Sequence, residues 1–101
     1  MASFTVFQLN TSQIAEYMIG HPDKINICLE ELKTRKNYFT ASVRPWTVSA
    51  VAWYNEFIAE IQKLYIFRNN LKIVFTDQQL TFIDQLKSDV VGYKNMCEMT
   101  Y

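Results

Sequence analysis

A chain of 101 residues that is half hydrophobic carries enough apolar surface for one domain with one core, and too much for intrinsic disorder. Ten basic and ten acidic side chains cancel, and a pI near 6.5 leaves no global field to draw the protein onto nucleic acid or an anionic membrane. Two glycines and two prolines are too few for the turns of a many-stranded β fold, so the composition predicts long helices joined by few connections.

In chain order, residues 3–9 (SFTVFQL) are β-branched and aromatic with rough alternation, the pattern of a short strand. Thr11 or Ser12 then caps a short helix near 12–19, whose Ile14, Tyr17 and Met18 share a face. Gly20 is placed to end it as a left-handed glycine. Pro22 stands in the first turn of a second helix, 22–37, with Asp23 near its positive end. There Ile25, Cys28, Leu29 and Leu32 follow the i, i+3, i+4, i+7 spacing of a buried face. Residues 38–43 alternate again and predict a strand pairing with 3–9, or an extended connection.

Arg44-Pro45 breaks helical geometry before the longest element, 45–68 (PWTVSAVAWYNEFIAEIQKLYIFR). On a helical wheel Trp46, Ala50, Val51, Trp53, Tyr54, Phe57, Ile58, Ile61, Leu64 and Tyr65 share one arc. That arc is about 160° wide, well beyond the ~100° stripe of a one-sided surface helix. Ser49, Glu56, Glu60 and Lys63 form a narrow polar strip opposite, with Phe67 intruding on it. Such a helix needs cover from two neighbours, or from one neighbour and a second protein molecule. Asn69-Asn70 ends it, since asparagine accepts left-handed geometry. The apolar run 71–75 fits a strand or a helix segment. Thr76 and Gln79 form a capping box for the last helix, in which Ile83, Leu86, Val90, Tyr93 and Cys97 alternate at spacings of 4 and 3. Gly92 interrupts that seam, so the helix either stops there or continues past a weak point.

The fold class these elements predict is mainly α: a four-helix, bundle-like single domain over 1–101, built around 45–68. A small sheet or extended edge from 3–9, 38–43 and 71–75 would make it α+β, and a purely helical bundle is the alternative.

Residues for chemistry are scarce. The lone His21, in His-Pro-Asp, lies where one helix ends and the next begins, and what that junction needs is a cap; no nucleophile can be placed beside it. Glu56 and Glu60 lie one turn apart, but no histidine or third carboxylate joins them for metal or acid–base work. With two glycines, no phosphate-cradling loop can be built. Catalytic residues, cofactors and metal sites are therefore expected to be absent. Cys28 and Cys97 show no metal-ligand spacing, and read as two reduced buried thiols or one long-range disulfide. Charged and amide residues in the middle of 45–68 oppose membrane insertion, and no secretory leader is visible, so a cytoplasmic protein is expected. Abundant Asn, Lys, Ile, Phe and Tyr suit an AT-rich genome, such as that of a virus or mobile element.

Two functional readings follow. The first is a non-enzymatic protein–protein interaction module, an adaptor, assembly factor or inhibitor that forms a homodimer. Its expected interface residues are Trp53, Phe57 and Ile61 on the wide arc, the isolated Phe67, and Met96 and Met99 in the methionine-rich tail. The alternative is nucleic-acid or other anion binding through Lys33, Arg35, Lys36 and Arg44, which lie beside Tyr38, Phe39 and Trp46 with no acidic residue among them. The competing account of those cations is that they favour the negative end of the second helix.

Overall fold

The computed structural model describes residues 8–41 and 45–99. Four helices follow in order: α1 (Ile14–Gly20), α2 (Ile25–Phe39), α3 (Val48–Asn69) and α4 (Asp77–Met99). Turns of 3-10 helix at Thr11–Gln13 and Pro22–Lys24 lead into α1 and α2. Among the described residues there is no strand, so the fold is mainly α and bundle-like.

The expected sheet is corrected wherever it can be seen. Tyr38 and Phe39 are the last two residues of α2, and Thr40 closes that helix by donating both its N–H and its hydroxyl to the Lys36 carbonyl. At the end of α2 the local alternation is overridden: Phe39 is helical and stacks on Trp53 of α3, with ring centroids 4.1 Å apart. Residues 42 and 43 lie outside the described residues, as do 3–7 of the first predicted strand, whose Gln8 and Leu9 are not in a strand. Segment 71–75 is an unpaired connection that drives Ile73 and Phe75 into the core and leaves Leu71 and Val74 in solvent.

The core is drawn from all four helices: Ile14, Ala15 and Met18; Cys28, Leu29 and Leu32; Phe57, Ile61 and Leu64; Ile83, Leu86 and Val90. The seam predicted for α4 is buried along its whole length through Tyr93 and Cys97, and the helix runs past Gly92 to Met99. The capping box is formed: Gln79 N–H donates to the Thr76 hydroxyl at 3.1 Å, and Thr76 N–H to Gln79 Oε1 at 2.9 Å. Asn26 reaches Gln79, and Lys36 reaches Asp89, the same distance further along both helices, so α2 and α4 run parallel. Tyr65 meets Asp84 while Lys94 lies over Tyr54, so α3 runs antiparallel to α4. The short α1 packs on both α2 and α3.

Three helix ends differ from expectation. Gly20 is the last residue of α1 and has no positive φ; the end is closed by His21, whose Nδ1 donates to the Tyr17 carbonyl at 3.0 Å while its ring stacks on Tyr17. α3 starts at Val48, capped by Thr47 accepting from Ala50 N–H, rather than at Pro45. At its far end α3 does stop at Asn69 with Asn70 as its cap, as expected, but the left-handed residue is Leu71 (φ 61°) and not either asparagine.

Candidate interaction surface

The structure redistributes the faces of α3. Phe57 and Ile61, expected at an interface, are fully buried in the core of their own chain and have no surface to offer. Trp53 is half-buried, held by Phe39 on one side and within 5.2 Å, centroid to centroid, of Phe57 on the other. Phe67 is likewise partly buried against the core. The polar strip that Phe67 intrudes on faces water only at Ser49 and Glu56, because α1 and the 3-10 turn before it cover Glu60 and engage Lys63. Glu60 there is 1% exposed; its carboxylate accepts the Ala15 N–H at 2.7 Å and the Lys63 ammonium at 3.1 Å. Lys63 also donates to the Ser12 carbonyl and to Glu16. Glu60 thus caps α1 from a neighbouring helix, and only Glu56 of the carboxylate pair faces water.

What α3 turns to solvent instead is a stripe at alternating spacings of 4 and 3: Val48, Ala52, Asn55, Ala59, Gln62 and Ile66. All six are exposed, Val48 at 87% and Ile66 at 53%, and none is charged. Ordinary exposed helix faces carry Lys and Glu, whereas interface centres are depleted of charge. Hydropathy alone missed this stripe, since Ala, Asn and Gln are neither apolar enough to mark a core nor charged enough to mark a surface. The 4–3 spacing of uncharged residues was the signal available.

At the open end of the α3–α4 hairpin Met96 and Met99 are exposed, at 51% and 83%, as expected for the tail. They are not brought together with Trp53, Phe57, Ile61 and Phe67, which face inward from α3. The charged residues of α4 are turned to its flanks: Asp84, Lys87 and Lys94 engage tyrosines of α3, and Asp89 engages Lys36 of α2.

The basic stretch is largely spent inside the fold. Arg35 pairs with Glu31 at 2.6 Å and donates to Thr11 and to the Leu9 carbonyl. Lys36 is buried and bound to Asp89 at 3.0 Å. Hydrogen bonds from Gln85 and Lys36, with the charges of Lys36 and Lys33, hold the Asp89 carboxyl below its ordinary value against the opposing effect of burial. Lys33 is exposed and lies over the Phe82 ring. Arg44 lies outside the described residues. Beside Lys33, a groove of about 410 Å³ runs between α2 and α4, lined by Asn26, Glu30, Thr76, Gln79 and Phe82 and holding no cation. Lys33 and Lys36 do line one small pocket between α2 and α4, but Asp89 shares it and binds Lys36, and Arg35 lies elsewhere, paired with Glu31.

Both cysteines are buried and unbonded, Cys28 on α2 and Cys97 near the end of α4, and burial pushes the Cys28 thiol up to about 11. Among the described residues no three metal-ligating side chains converge, and no helix is long and apolar enough to cross a membrane. No protein-family model, no curated protein and no solved structure matches this chain.

Proposed function

We propose that this protein is a non-enzymatic interaction module that works by protein–protein contact and self-associates. The observation that supports this is the uncharged, exposed stripe of α3, which α1, α2 and α4 leave uncovered, with Ser49 and Glu56 exposed along one edge of it. A stripe of exposed residues with no charge along it is suited to contact with a partner.

The test is molar mass by light scattering over a range of concentration, at low and high salt. The expected result is a mass that rises above the 11.9 kDa of one chain and is not reduced by salt, because the contact is uncharged. A mass fixed at one chain throughout removes self-association. A species that dissociates as salt is raised points instead to a charged contact. Ala59→Arg is the matching variant: the position is exposed, so the fold tolerates it within about 0.5 kcal/mol, while the assembly is expected to return to one chain.

A further inference from the structure

Granting that reading, we propose that the partner seated on α3 is a second copy of the chain, paired antiparallel about a two-fold axis passing at the level of Phe57. The residues of the stripe are arranged symmetrically about that level. Val48 then meets Ile66 of the second copy, Ala52 meets Gln62, and Asn55 meets Ala59. Every long polar side chain faces an alanine. Each central contact thus includes an alanine, where two crossing helices come closest, and the branched apolar residues stand at the ends, where the helices diverge. A parallel pair would set Gln62 on Gln62 and alanine on alanine, crowding one level and leaving a gap at the next. Antiparallel pairing also opposes the two helix dipoles.

Self-complementarity favours a second copy over a foreign partner, since a two-fold at position 57 sets Asn55 and Gln62 each opposite an alanine of the same stripe. The stripe itself is uncharged, so no like charges face each other within it. Of the flanking charges, Lys63 is already engaged by Glu60 and Glu16, and Glu56 stays at the wet rim. A 22-residue helix is about 33 Å long, and a contact strip ~10 Å wide buries about 700 Å² over both copies. That is below the ~1,200 Å² of a standard interface, so the dimer is weak and exchanges rapidly.

Cysteine pairing tests the geometry, since Cys28 and Cys97 are buried and give little background. Val48→Cys and Ile66→Cys are each exposed changes and are made in separate proteins. Under mild oxidation a mixture of the two is expected to give a disulfide-linked heterodimer, and neither variant alone is expected to link. In the antiparallel pair two copies of residue 48 stand about 27 Å apart, far beyond disulfide reach. Linking by each variant alone means a parallel pair and overturns the proposal. Self-association of the unaltered chain that survives Ala59→Arg, with no linking in the mixture, also overturns it but leaves the self-associating reading standing. An unaltered chain that stays monomeric at about 1 mM, where any dimer with a dissociation constant in the millimolar range or tighter is populated, removes both.

Discussion

Glu60 shows how a residue's role depends on what crosses it. On the helical wheel it is one of a strip of polar residues facing water, and in the fold it is a buried carboxylate holding the first turn of α1. Replacing it with alanine strands the Ala15 N–H and takes one acceptor from Lys63. Glu60→Ala is therefore expected to cost about 2–3 kcal/mol in urea unfolding, with faster amide exchange concentrated in α1. Glu60→Gln keeps an acceptor and should lose less. A change of under about 0.5 kcal/mol for the alanine variant would mean that α1 is held by its apolar face alone. The same lesson holds for Lys36, whose sequence neighbourhood is basic and whose spatial partner, Asp89, is not visible in that neighbourhood.

At the scale of elements, the end of α3 carries a local conflict. Lys72 N–H returns to the Phe67 carbonyl at 2.8 Å and Leu71 N–H to Arg68 at 3.1 Å, the double bond of a Schellman motif that wants glycine or asparagine at the left-handed position. Leucine stands there, 82% exposed, one residue beyond the two asparagines. The register is set by burial of Ile73 and Phe75, which must reach the core at the right distance from α3. Leu71→Gly should therefore raise stability by about 1 kcal/mol, read as a higher melting temperature, because it relieves left-handed strain and removes no buried contact. A lower melting temperature would show that the leucine side chain does structural work despite its exposure. By contrast α4 was legible in its start, its spacing and its buried seam, and only its end was left open at Gly92, which the helix passes to reach Met99. α2 was legible except at its end, where a contact with Trp53 outweighed local alternation.

For the whole molecule, the ion pairs and hydrogen bonds that tie helix to helix set a pH range. Lys63 is raised above its ordinary value: burial lowers it, but hydrogen bonds to Glu16 and Glu60 and their charges outweigh that. Tyr65 is pushed up to about 12 by burial and by its bond to Asp84. Both groups hold their protons more tightly when folded, so the stability they add is complete below their unfolded values and is lost as pH rises through the folded ones. Asp89 is lowered, so its contribution is present above the ordinary carboxylate range and is lost as pH falls through its folded value. Thermal melts are expected to show stability declining below about pH 4 and above about pH 10. Stability that continues to climb through the alkaline range would contradict the Tyr65–Asp84 and Lys63 contacts.

From the sequence by itself came the helical class, the order and approximate limits of the four helices, the buried seams of α2 and α4 and the poverty of groups for chemistry. Those depend on composition, spacing and capping, which act within a turn or two of chain. Only the tertiary structure decided which side of α3 faces out. An arc that wide has no preferred inward direction of its own, and the choice fell to where α1, α2 and α4 could reach. They took Phe57, Ile61 and Glu60, and left Val48, Ala52, Asn55, Ala59, Gln62 and Ile66 in water.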